Sequence, residues 1–179
     1  MTYDTIQFYN QSLAIIVGIA AAVLAFALLP QVSPPLRARR LLAMTLRDFR
    51  QLAERPGIPA VADWIGKVAA RLSALPAQAK LIQFARLGTA LSAGAELIRL
   101  RSLASTFGFA PPLNPAFKAL AHGQSQDAIE LLAKTDAALS RPGNNGEASD
   151  VKVRARASIL RLSEALSRHG AYFDGRALE

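Results

Sequence analysis

The chain has no cysteine, which excludes disulfides and thiolate metal sites and suits a reducing compartment. It has only two histidines, His122 and His169, each followed by a glycine at the end of a different predicted helix. There they favour the negative end of the helix dipole over metal coordination. Aromatic residues make up 7% of the chain, few for stacking nucleic-acid bases. Glycine-rich phosphate loops ending in GK[ST] or reading GxGxxG are absent, and no serine sits in a nucleophile-elbow context. Aspartate and glutamate are scattered singly, so no carboxylate pair is set up for general acid–base work. The expectation is a protein that is not an enzyme, with no catalytic residue, no cofactor and no metal.

The absence that says most is of charge. Between Thr5 and Leu36 there is no charged residue, and residues 13–29 (LAIIVGIAAAVLAFALL) are apolar throughout if Gly18 is allowed. Seventeen residues lie at the lower edge of what a helix needs to cross a hydrocarbon core of about 30 Å, and the uncharged flank with Ile6, Phe8 and Tyr9 lengthens the run. At about −0.3 to −0.6 kcal/mol for each Leu, Ile, Val or Phe, insertion is favourable. A transmembrane helix over about 8–30 is predicted.

Ala25-Phe26-Ala27 would suit a signal-peptide cleavage site, but the segment before the apolar run carries Asp4 and no Lys or Arg. Positive charge follows the run instead, at Arg37, Arg39 and Arg40. By the positive-inside rule these three arginines set the topology: N-terminus periplasmic, everything from Arg37 cytoplasmic. All 21 Lys and Arg follow residue 36, so the net charge of +8 belongs to that cytoplasmic part. A pI near 10.6 raises nucleic acid as a partner. The basic residues are spread through every helix and form no single stripe, so no nucleic acid is expected; membrane lipid is, since an anionic inner leaflet attracts the same charge.

Beyond the span, Pro and Gly divide a sequence rich in Ala, Leu and Arg into helices, with no strand, and the fold class is all-α. Residues 1–33 form the transmembrane helix with its flanks, and 34–179 a cytoplasmic helical domain of one modest core. Its first helix runs from Ser33-Pro34-Pro35 to about 54, with Leu42, Leu46, Phe49 and Ala53 on the buried face and Arg40, Arg47, Arg50 and Glu54 on another. A second helix over 60–75 holds the only tryptophan, Trp64. A third, over 77–106, is apolar enough across 81–98 to raise a second span, but Arg86 and Glu96 would each cost about 2.5 to 3.5 kcal/mol in the bilayer centre. Its Gly88, Ser92 and Gly94 suit close approach by another helix. The stretch 108–115 reads as a loop before a short helix over 115–121. Ser125 caps a helix to about 139, with Asp127 near its positive end. Residues 141–150 (RPGNNGEASD) read as a flexible loop. Ser149 or Asp150 caps a last helix that buries Ala155, Ile159, Leu162 and Leu166, exposes Arg154, Arg161 and Arg168, and pairs Glu164 with Arg168.

Ala14, Gly18 and Ala22 line one face of the span at four-residue spacing, a stripe that lets transmembrane helices pack backbone to backbone. That packing face implies other transmembrane helices.

Three segments taken together, FYNQSLAIIVGIAAAVLAFALLP (8–30), SPPLRARRLLAMTLRDFRQLA (33–53) and RARASILRLSEALSRHGAYFDG (154–175), resemble the C-terminal part of the fusaric acid resistance protein family, the aromatic acid exporters. The resemblance covers nearly the whole chain. It implies a bacterial inner-membrane efflux transporter, several-fold longer than this chain, in which these residues match the last transmembrane helix and the C-terminal cytoplasmic domain. It further implies export of aromatic carboxylic acids with a periplasmic adaptor and an outer-membrane channel. The expectation is therefore a C-terminal portion or subunit of such an exporter, packed against other transmembrane helices of the transporter or against a second copy of itself. The alternative is a single-span, membrane-anchored helical module that binds a partner protein or an anionic lipid surface.

Overall fold

The computed structural model describes residues 5–28, 33–108, 110–140 and 146–177. Among them are seven α-helices and no strand: α1 (Thr5–Leu28), α2 (Pro34–Glu54), α3 (Val61–Ser73), α4 (Leu81–Phe107), α5 (Ala110–Ala121), α6 (Ser125–Leu139) and α7 (Gly146–Phe173). They divide into two units, 1–33 and 34–179. In the first, α1 holds a 19-residue apolar stretch, Phe8–Phe26, none of it buried within the chain. No other helix among the described residues is both long and apolar enough to cross a bilayer.

The second unit owes its core to helical periodicity. Leu42, Leu46, Phe49 and Ala53 of α2 are buried, as are Ala155, Ile159, Leu162 and Leu166 of α7, the two apolar faces the spacing predicts. Between them runs α4, which packs against α2, α3, α5 and α7. Its Leu87, Ala90, Leu97 and Leu100 lie inside the domain. From Leu87 onward this stretch is a core helix of the domain, Leu81 and Ile82 before it being exposed, and the 27-residue α4 is about 40 Å long. Gly108, at φ 75°, ends it in the left-handed conformation that glycine adopts without strain.

Of the two glycines on α4, only Gly94 is approached closely, and by a side chain. An added Cβ there would lie 2.2 Å from the Trp64 ring, whereas at Gly88 it would meet nothing within 4 Å. Trp64 is buried, and its Nε1–H donates to the Leu91 carbonyl at 2.9 Å. The indole lies against the α4 backbone where a side chain at position 94 would project, and this contact docks α3 onto α4.

Other helices are joined through their ends. Arg101 of α4 donates to the carbonyls of Leu52 and Arg55, which the C-terminus of α2 leaves without helical partners. Arg50 is not on a solvated face: its guanidinium donates to the Phe173 carbonyl at 2.9 Å, and it lies so close to Gly123 that a Cβ there would meet its Nη2 at 2.3 Å. Tyr172, almost fully buried, donates to the Leu42 carbonyl at 3.2 Å. Burial pushes its phenol pKa well above the ordinary value, so the hydroxyl stays a neutral donor.

Several local expectations are corrected. The segment expected as a loop before residue 115 is already helical from Ala110, with Pro115 inside α5. Pro111 and Pro112 fall in the first turn, where a missing N–H costs nothing, and burial of Leu113, Ala116, Phe117 and Leu120 offsets the bond lost at Pro115. Ser125 is the first residue of α6 and not its cap: its hydroxyl is buried without a partner, and its N–H donates to Asp174 Oδ1 from the end of α7 at 2.9 Å. Ser149 and Asp150 are likewise not caps, since α7 begins at Gly146; of the expected flexible loop, 146–150 is helical and 141–145 lies outside the described residues. Glu164 and Arg168 do pair, at 2.6 Å.

Candidate functional site

A cavity in the helical domain opens between the segment leading into α3, the middle of α4 and the first half of α7, with a volume of about 830 Å³. Its floor is Glu96. This lone carboxylate in an apolar stretch of α4 is 7% exposed, and both of its oxygens are engaged. Oε1 accepts from Arg99, one turn along α4, at 2.8 Å and from Arg161 of α7 at 3.2 Å. Oε2 accepts from the buried Ser158 hydroxyl at 2.8 Å. A charge this deep is tolerated because it is paired and hydrogen-bonded, and the arrangement ties α4 to α7 at a fixed register.

The walls are of two kinds. Ile58, Pro59 and Val61, with Leu103 of α4, supply aliphatic side chains. Arg99, Arg154 and Arg161 present guanidinium groups. Arg99 and Arg161 are 51% and 66% exposed at their side chains even while bonded to Glu96. Arg154 is exposed and makes no ion pair among the described residues. Three guanidinium groups and one carboxylate therefore line the cleft, an excess of positive charge. The excess of guanidinium groups over carboxylates makes the cleft electropositive, and no three His, Asp or Glu side chains among the described residues come close enough to share a metal ion. Sequence reasoning registered Glu96 only as a bar to membrane insertion. Its isolation in an apolar run was the available signal, but the partners on α7 are more than sixty residues away in the chain.

The residues singled out from the sequence lie elsewhere. Ala14, Gly18 and Ala22 are on α1, exposed within the chain, and nothing lies within 4 Å of a Cβ built on Gly18. Arg37, Arg39 and Arg40 are exposed on the first turns of α2 and make no ion pair among the described residues. His122 ends α5, with Nδ1 2.7 Å from the Lys118 carbonyl. His169 marks a kink in α7, at φ −128° and ψ 28°, near the helix end where it was expected.

An uncovered apolar helix, followed by a compact helical domain with a cationic cleft, defines a membrane-associated all-α protein. The family model of the fusaric acid resistance protein family (FUSC) matches residues 1–173, and the chain belongs to that family. Membership makes it a membrane protein of a transport, efflux-related family. No curated protein and no solved structure matches the chain.

Proposed function

We propose that this chain is the C-terminal portion, or a subunit, of a bacterial inner-membrane efflux transporter for aromatic carboxylic acids, and that it is not an enzyme. One observation carries the reading: the family match runs through both the apolar helix and the helical domain, so the two belong to one transport architecture. In this reading α1 spans the membrane and packs against other transmembrane helices of the transporter or of a second copy. The helical domain lies in the cytoplasm, and the assembled exporter works with a periplasmic adaptor and an outer-membrane channel.

Arg37, Arg39 and Arg40 support the orientation, because basic residues next to a span resist translocation. A reporter that functions only in the cytoplasm, fused after Glu179, is expected to be active in cells, and one that functions only in the periplasm to be silent. The reverse pattern rejects the orientation. Changing all three arginines to Glu is expected to weaken the bias, since acidic residues contribute little to orientation.

The stripe of Ala14, Gly18 and Ala22 is the proposed packing face. Gly18→Leu puts a branched side chain where two backbones would nearly touch and leaves the span at least as apolar. Recovery of companion membrane subunits or of a second tagged copy on affinity purification is expected to fall, with membrane insertion unchanged; undiminished recovery means that this face meets lipid.

A second reading, a self-contained membrane-anchored interaction module, is favoured by the complete hydrophobic core of the domain over 34–179. A defined, stable species purified without any companion would select it.

A further inference from the structure

We propose that the cleft over Glu96 is a binding site for a small amphipathic organic anion: an apolar body against the aliphatic wall and a single anionic head on the guanidinium groups. The proposal concerns the helical domain alone and does not depend on which molecule, if any, the membrane part moves.

Three features of the cleft select this class. Its volume of about 830 Å³ falls within the range of small-molecule sites, roughly 300–1,000 Å³. Its lining combines Ile58, Pro59, Val61 and Leu103 with Arg99, Arg154 and Arg161, so a ligand apolar and anionic at once matches both kinds of side chain. A hydrated ion such as phosphate leaves the aliphatic wall uncovered, and a neutral apolar molecule leaves the cations unmatched. Finally, Glu96 cannot neutralise its surroundings. Its oxygens are held by Arg99, Arg161 and Ser158, and Arg154 has no acidic partner among the described residues.

Glu96 and Ser158 orient the site without meeting the ligand's charge. Ser158 fixes Glu96, Glu96 holds one N–H of Arg99 and one of Arg161, and each planar fork retains N–H donors for a carboxylate or sulfonate. Arg154, about two helical turns before Arg161 on α7, supplies a cation with no acidic partner among the described residues. A smaller hollow of about 270 Å³ on the other side of Arg161 lacks this character, because there Arg168 is already paired with Glu164 at 2.6 Å.

The test is equilibrium dialysis of the full chain in detergent, with the same micelles on both sides of the membrane and 2-naphthoate as the fluorescent probe. Saturable uptake of one naphthoate per chain is expected, while the uncharged 2-naphthalenemethanol, with the same body, shows no saturable excess. Inorganic phosphate and acetate are expected not to compete at equal concentration. Arg154→Glu is expected to weaken uptake at least tenfold and Arg154→Lys to restore part of it. Because Arg154 is exposed, both variants are expected to keep the thermal transition of the parent by circular dichroism. No saturable naphthoate uptake, equal uptake of the alcohol, or undiminished uptake by a folded Arg154→Glu chain overturns the proposal.

Discussion

Gly94→Ala is expected to lower the stability of the helical domain by about 3 kcal/mol, at the upper end of what overpacking a core costs. The direction is opposite to local preference, since alanine in a helix interior is favoured over glycine by roughly 0.5–1 kcal/mol. What reverses it is the Trp64 ring, 2.2 Å from where the new Cβ would sit. The ring has no free movement away, because it is buried and its Nε1–H is bonded to the Leu91 carbonyl at 2.9 Å. Either α3 moves off α4, losing contact along the helix pair, or the indole turns and its N–H is left without a partner. Trp64 is the only tryptophan, so its fluorescence reports urea unfolding of this domain directly. The cause is separable in a double-mutant cycle followed by circular dichroism. In a Trp64→Leu background the alanine should be close to neutral, a coupling of about 2–3 kcal/mol. A small effect of Gly94→Ala in the parent would mean that the indole does not hold the α4 backbone at this distance.

Glu96→Ala is expected to destabilise by about 2 kcal/mol, less than the 3–5 kcal/mol typical of a fully buried broken pair. The reduction follows from where the partners lie. Arg99 and Arg161 are 51% and 66% exposed and rehydrate when the carboxylate goes, so their loss is small. The cost falls on Ser158, 5% exposed, whose hydroxyl then has no acceptor, and on the space left under the cleft. Glu96→Gln keeps an oxygen for Ser158 and is expected to lose about half as much. Urea unfolding of the two variants side by side checks the ordering. Equal losses would show that the carboxylate's charge, and not the hydrogen bond to α7, sets the cost.

The buried faces of α2 and α7 were legible in the sequence because a helix writes its burial into the chain at a period of 3.6 residues. Leu42, Leu46, Phe49 and Ala53, and Ala155, Ile159, Leu162 and Leu166, lie where that period puts them. The apolar α1 was legible for a similar reason: length and lack of charge are properties of consecutive residues. Helix ends were harder to read. The start of α5 was misread because three prolines in a row of eight residues signal a break, and burial of Leu113 and Phe117 prevails over that signal. The N-terminus of α6 was misread because its acceptor, Asp174, comes from the far end of the domain.

Composition, charge asymmetry and local periodicity therefore decide the all-α class, the apolar helix and which face of each helix turns inward, since each is settled within a few turns of chain. Which inward face meets which is settled by three-dimensional fit. Gly94 and Gly88 are equivalent in the sequence, yet only Gly94 lies under the Trp64 indole. Glu96 is one carboxylate in an apolar run until α7 brings Ser158 and Arg161 against it. The spacing of Arg154 and Arg161 puts them on one face of α7, but only packing across more than fifty residues of chain brings Arg99 and Glu96 of α4 to the same cleft.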